Sequence, residues 1–331
     1  MMPLIRGQAE EPGPRPPSPV WNARDLEQRS GWKIRVPSEV SQEFLGHLRT
    51  RPDTCLDTDA TEPDIERMPE LARFAAALRD SLLFGEGVIW LKGLDSLGIS
   101  GSDQQLFCAG LGGFMGRVMT EYGPLYSVRD RGADYTREAV PVSMTCSETG
   151  IHTDSSSLDC LPDLVGLLCE EPSRNGGDSL LCNAFHAYGS LRARDPETVK
   201  MLEQNFIRDV VTPGREKNHA NLLRNSFPIF SVAALGEKRT FRYMRYWIEK
   251  GHERAGRPLD PTQVSALDAL DAVLGAPESI VRLRLERGDL LWINNRTVAH
   301  GRGSYRDTPG NTRELHRMWV EVPGASGQEA A

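Results

Sequence analysis

From about residue 140 onward the chain is cut into short apolar runs separated by Gly, Pro and Asn. No other feature constrains its fold as much. Leu164 to Cys169, Ser179 to Cys182, Ile280 to Leu285, Leu290 to Ile293 and Leu315 to Val322 are each of strand length. Such runs, bounded by turn formers, predict an antiparallel all-β sandwich or barrel. One helix interrupts the pattern and its ends are marked. Asp260 is a capping residue, Pro261 opens the first turn, Gln263 closes a capping box and Gly275 stops it. Val264, Leu267, Leu270 and Leu274 recur on one face, which predicts packing against a sheet.

Upstream, Leu71, Phe74, Ala75, Leu78 and Leu82 share a face of a helix predicted over Pro69 to Phe84, with Gly85 as its stop. A short strand is predicted over Gly87 to Leu91. A second helix, from Gln104 to Leu111, is started by Ser102 or Asp103 and ended by Gly112-Gly113. Residues 1–28 hold six prolines and almost no apolar periodicity, so they are expected to form a disordered or extended arm. The expectation is one domain over 29–331, mainly β with α, with helices at its N-terminal side and a helical insertion at about 185–278.

Composition excludes several classes. Of 331 residues, 39 are basic and 46 acidic, for a net charge of −7 without a basic stripe, which argues against nucleic acid as the partner. No apolar run approaches the roughly 20 residues that span a bilayer, and the N-terminus lacks the apolar core of a signal peptide. A cytoplasmic protein with no membrane partner is expected. None of the six cysteines (Cys55, Cys108, Cys146, Cys160, Cys169, Cys182) sits in a C-x-x-C pair, so free thiols are expected rather than a zinc ribbon. Oligomeric state is not legible.

His152-Thr153-Asp154 is the first chemical signal, although an H-x-[DE] triplet arises about once by chance in this composition. Its context raises it. Ser155-Ser156-Ser157 follows, then Pro162-Asp163 with an apolar run, then Gly176-Gly177-Asp178-Ser179. Near the C-terminus stand Arg287-Gly288-Asp289-Leu290-Leu291-Trp292-Ile293-Asn294-Asn295, then His300-Gly301-Arg302, then Arg313 and Arg317.

With these motifs the chain resembles the taurine dioxygenase and clavaminate synthase-like family of iron(II)/2-oxoglutarate oxygenases, most densely over 150–185 and 280–322. The resemblance implies a double-stranded β-helix, or jelly-roll, core. It implies His152, Asp154 and His300 as ligands of Fe(II), because of the competing histidines only His300 follows the family's Gly-Asp-apolar strand. The chemistry agrees. Two imidazoles and one carboxylate leave three positions open for an oxo-acid and O2, and residues two apart in an extended segment point the same way. Arg313, 13 residues after His300, is implied to grip the far carboxylate of 2-oxoglutarate with help from the Ser179 hydroxyl, 27 residues after His152. Arg317 shares a strand face with Arg313 and is expected to meet an anionic group of the substrate. Tyr122, Tyr126 and Arg129, in a segment running from Glu121 to Tyr135 that resembles a substrate-covering loop, and Ser155, are the further substrate-side candidates. His186 reads as part of an aromatic cluster. Arg242 to Trp247 reads equally as a pocket strand or as a basic-aromatic surface.

The implied activity is hydroxylation, desaturation or ring closure at an unactivated C–H of a small molecule, an amino acid or biosynthetic intermediate, with release of succinate and CO2. Halogenation is disfavoured because Asp154 occupies the position chloride would need. A catabolic dioxygenase of sulfonates or aryloxyalkanoates is the alternative within the class. A cupin-like metal-binding protein without oxygenase activity, with no need of Arg313 and Ser179, is the alternative outside it, and a non-catalytic interaction module is a third.

Overall fold

The computed structural model describes residues 19–50, 67–133, 142–155, 161–209, 216, 218–232 and 239–324. The chain opens with α1 (Ala23–Gln28), β1 (Lys33–Arg35), α2 (Ser38–Thr50), α3 (Pro69–Phe84), β2 (Val88–Lys92) and α4 (Ser102–Met115). Strands β3 (Arg117–Val118), β4 (Tyr126–Val128), β5 (Thr149–His152), β6 (Leu164–Glu171), β7 (Asn175–Gly176) and β8 (Ser179–Asn183) follow. The next segment holds α5 (Ala184–Arg194), α6 (Pro196–Leu202), β9 (Asn205–Ile207), α7 (His219–Arg224), β10 (Ser226–Pro228), β11 (Phe230–Val232) and β12 (Arg239–Phe241). It ends with α8 (Arg245–Arg254) and α9 (Pro261–Leu274). The chain closes with β13 (Val281–Leu283), β14 (Leu290–Asn294), β15 (Val298–Arg302), β16 (Tyr305–Arg306) and β17 (Glu314–Glu321).

Two sheets carry the architecture. The larger has the order β1-β2-β14-β6-β17-β3 with β4 also paired to β17, and the smaller the order β13-β8-β15-β5. Strand alternation sorts their side chains into layers. Leu164, Leu168, Leu290, Trp292, Met318 and Val320 face helices α2, α3 and α4. Val165, Leu291, Ile293, Leu181 and Val281 face inward, between the sheets. Cys182 and Ala299 face outward from the smaller sheet onto α5, α6 and α9.

Locally encoded ends fall where expected. Helix α3 runs from Pro69 to Phe84, and α9 from Pro261 to Leu274 with both capping-box hydrogen bonds formed. Other expectations need correction. The chain is not mainly β, since helix outweighs strand among the described residues. Among the described residues the inserted segment holds five helices and two two-stranded antiparallel sheets rather than one helix. The extended arm does not reach residue 28. Trp21 and Leu26 are buried, α1 is closed by an Asn22–Asp25 capping box, and Trp21 donates to Glu86 O at 2.8 Å. The rest of that arm lies outside the described residues. Helix α4 passes through Gly112-Gly113 to Met115. Gly112 serves close approach: a Cβ there would collide with Met318 Sδ and lie 3.3 Å from the Trp292 ring. Of the cysteines, Cys108, Cys146, Cys169 and Cys182 are free, while Cys55 and Cys160 lie outside the described residues.

Candidate metal and co-substrate site

Strands β5 and β15 are antiparallel neighbours, and their register sets His152 opposite His300. The two imidazoles lie 4.5 Å apart, centre to centre. Asp154 follows just beyond the end of β5, its Oδ1 3.7 Å from His152 Nε2 and 3.9 Å from His300 Nε2. One ligand atom from each of the three lies within 4.8 Å of the others.

The hydrogen bonding and charges suit a cation. His152 Nδ1 donates to Gly150 O at 2.8 Å, so Nε2 is the nitrogen turned toward Asp154. Burial, reinforced by His152, pushes the His300 imidazole down to about 3, so it is neutral at ordinary pH. Burial alone would raise the Asp154 carboxyl. The Arg317 guanidinium and both imidazoles outweigh it and hold the group well below the usual carboxylate range. Two imidazoles and one carboxylate, converging on one point, fit a divalent iron with an open face.

Asp154 is held through every polar atom it has. Trp319 Nε1 donates to Oδ2 at 2.8 Å and Arg317 Nη1 to Oδ1 at 3.1 Å. The backbone N–H donates to Asn295 Oδ1 at 2.9 Å, and the carbonyl accepts from Asn295 Nδ2 at 3.0 Å. Thr153 points the other way, into the inserted segment, where its hydroxyl accepts Tyr243 N–H at 2.9 Å.

A cavity of about 140 Å³ opens beside the three ligands, between the sheets. One end holds Arg313, 4% exposed, whose Nη1 has no hydrogen-bond partner among the described residues. Its guanidinium lies 5.1 Å from the Tyr305 ring, and its side chain passes close to Gly177, where a Cβ would sit 3.0 Å from Arg313 Nε. Both Gly176 and Gly177 take positive φ, which explains the glycine pair. Ser179 lines the same cavity, as does Arg302, which donates to the carbonyls of Thr145 and Ser147. Burial and the neighbouring Arg313 push Arg302 down to about 10. A buried guanidinium with an unpartnered Nη1 and no ion pair among the described residues, lining the same cavity as a serine, fits the carboxylate of an oxo-acid.

The remaining candidates divide. Tyr122 and Ser155 line the cavity, and Ser155 adopts φ 55°. Tyr126 packs on the Arg317 guanidinium, 5.1 Å away. Arg129 is not brought to the cavity; its guanidinium is 3.9 Å from Glu314 and half exposed. Asp134 and Tyr135 lie outside the described residues. Arg242 to Trp247 is neither a strand nor a surface patch. It turns into α8, and Met244 and Trp247 form a cavity wall. The sequence placed these two in a segment read equally as pocket strand or surface, and gave no role to Arg302, to Asn295 or to Trp319. Only Trp319 had a usable signal, since the period of two from Arg313 through Arg317 reaches it next.

The model of the taurine catabolism dioxygenase TauD, TfdA family matches residues 58–319. The chain belongs to the TauD, TfdA family. It is therefore an iron(II)- and 2-oxoglutarate-dependent dioxygenase. Among relatives, FR-33289 synthase of Streptomyces rubellomurinus is 24% identical over 317 residues, 92% of this chain and 89% of that protein. Uridine-5'-phosphate dioxygenase of Amycolatopsis sp. is 31% identical over 163 residues, 48% of this chain and 56% of that protein. Asparagine oxygenase in complex with Fe(II), 2S,3S-3-hydroxyasparagine and succinate superposes with a TM-score of 0.65 at 18% identity, covering 87% of this chain and 93% of that one. The non-heme iron oxygenase OrfP with Fe and alpha-ketoglutaric acid gives 0.62 at 14% identity, covering 88% and 94%. Among the described residues no helix is long and apolar enough to cross a membrane.

Proposed function

We propose that this dioxygenase hydroxylates an aliphatic C–H bond of a small carboxylic acid, an amino acid in the first instance. The facing sheets are read as the two walls of a double-stranded β-helix, with His152, Asp154 and His300 holding iron between them. The iron, with O2 and 2-oxoglutarate, supplies the oxidising power. Everything else is done by this chain's own side chains.

Arg313 and Ser179 receive the far carboxylate of 2-oxoglutarate. Met244, Trp247, Tyr122, Leu167 and Leu315 exclude water and give the substrate's carbon chain an apolar wall. The charge count favours an acid: three guanidiniums, Arg302, Arg313 and Arg317, face one carboxylate, Asp154. Iron and 2-oxoglutarate cancel each other's charge, so the surplus remains for the substrate. Arg317 is the cation nearest the ligands and can serve the substrate's acid group only by sharing it with Asp154. The tyrosine and tryptophan faces suit an ammonium group. Hydroxylated amino acids in complex with two structural neighbours, 2S,3S-3-hydroxyasparagine with asparagine oxygenase and (3S)-hydroxy-L-Arg with OrfP, support that choice.

The observation that carries the reading is the convergence of the three ligands and Arg313 on one cavity. The test is succinate formation from 2-oxoglutarate under Fe(II) and O2 with a panel of free amino acids and other small acids, followed by mass spectrometry for products 16 mass units heavier. Succinate that appears only without a heavier product across the acid panel, while neutral compounds are hydroxylated, would overturn the substrate class. Absence of Fe(II)-dependent turnover with every compound would overturn the whole.

A further inference from the structure

Asp154 lies outside the strand ladder. Strand β5 ends at His152, and Ser155, immediately after Asp154, is in the left-handed region at φ 55°, so the chain turns away at the ligand itself. A ligand on such a turn would be free to move unless something fixed its backbone. Thr153 is held by the Tyr243 main chain, and the N–H and C=O of Asp154 itself are held by one side chain. Asn295 is fully buried. Its Oδ1 accepts the Asp154 N–H at 2.9 Å, and its Nδ2 donates to Asp154 O and to Pro162 O, both at 3.0 Å. The amide thus does for Asp154 what a neighbouring strand's peptide would do, and ties it to the far end of the same loop. Asn295 is itself anchored, because its backbone N–H donates to Asp163 O at 2.8 Å. It also sits in the β14–β15 turn that leads directly to His300, so two of the three ligands are fixed from one turn.

We propose that Asn295 is a positioning residue for the metal site, holding Asp154 in its binding geometry before any metal arrives. The inference rests on the metal-site reading above. The neighbouring Asn294 supplies a matched control. It is equally buried, and its amide bonds Leu82 O at 3.1 Å and Arg296 N–H at 3.0 Å, with no contact to a ligand residue. Both asparagines satisfy buried backbone groups, so a purely structural account predicts the same consequence for either. Partners that orient metal ligands typically change metal affinity by about 10–100-fold when removed.

The test is Mn(II) binding, followed by electron paramagnetic resonance of the free ion, and Tm of the full chain without metal. Asn294→Ala and Asn295→Ala are both expected to lower Tm. Only Asn295→Ala weakens Mn(II) binding, by at least about tenfold, with Asn294→Ala within about twofold of the parent. Asn295→Asp keeps the shape and the acceptor but loses both donors, and should weaken Mn(II) binding as well. Parent protein that binds no Mn(II) refutes the metal site. Parent protein that binds it, with Asn295→Ala binding equally well, refutes the role of Asn295 alone. Should both variants fail to fold, hydrogen exchange on the metal-free parent decides. The Asp154 amide is expected to be protected like a strand amide, and exchange at loop rates overturns the proposal.

Discussion

Arg313 offers the sharpest quantitative test, because its buried charge forms no ion pair among the described residues. Replacing it with Ala removes the cation expected to receive the far carboxylate of 2-oxoglutarate. Losing one member of a buried charge pair costs about 2–5 kcal/mol. Arg302 stands close enough to recover part of that, so about a hundredfold loss of affinity, near 2.7 kcal/mol, is the working figure. Thermal unfolding with Mn(II) present reads this directly. At one hundred times Kd the co-substrate stabilises the parent by about 2.7 kcal/mol. An unfolding entropy of about 2.1 cal/mol/K per residue turns that into about 4 °C for 331 residues. For Arg313→Ala the same concentration equals the new Kd, the stabilisation falls to about 0.4 kcal/mol, and the shift to about 0.6 °C. Without co-substrate the variant should melt no lower than the parent, since it has lost a buried charge that forms no ion pair among the described residues. A variant that keeps the full 2-oxoglutarate shift, or that melts several degrees lower without it, would refute the reasoning.

Asp154→Ala should abolish Mn(II) binding. Thr153→Ala should instead lower stability by about 1–3 kcal/mol, by leaving the Tyr243 N–H unsatisfied, with a far smaller effect on metal affinity in the same titration. His300 predicts a pH dependence of the metal-free protein. Its pKa falls from 6.5 to about 3 on folding, so the folded state resists the proton that the unfolded chain accepts. Stability present above pH 6.5 is therefore lost as pH falls from 6.5 towards 3, and His300→Gln should flatten that stretch of a urea-midpoint profile. Cys108, Cys169 and Cys182 are buried, with thiols pushed up to about 12. Iodoacetamide at pH 8 should spare all three in the native protein while modifying Cys146, as read by peptide mass mapping.

What the sequence disclosed was what is encoded locally. Pro69, the Asp260–Gln263 capping box and Gly275 mark their helices with signals a few residues long, and the metal ligands announce themselves by chemistry and spacing. Gly112 misled for the opposite reason. It reads as a stop signal in sequence, but its lack of a side chain answers to Trp292 and Met318, far along the chain. The inserted helices were under-read in the same way. The Asn183 and Asp195 caps of α5 and α6 are present, yet neither helix is long enough to show a repeating face. Gly251, inside α8, looks like a breaker, whereas a Cβ there would meet the Arg208 backbone at 2.6 Å. Met244, Trp247 and Asn295 reach the site only through tertiary contacts, and no local pattern carries that information.

The way the inserted segment sits on the smaller sheet bears on how such an enzyme changes its substrate. Its apolar interior is almost entirely its own, from Phe185 through Phe230 and Phe241 to Leu274, and the sheet offers it a bed of small side chains such as Cys182 and Ala299. Its grip on the metal loop runs from Thr153 to the Tyr243 main chain, so no particular side chain at 243 is required. Among the described residues, only Met244 and Trp247 line the cavity from it. Substitution at these two positions would therefore redraw one wall of the reactive pocket while leaving His152, Asp154 and His300 in place.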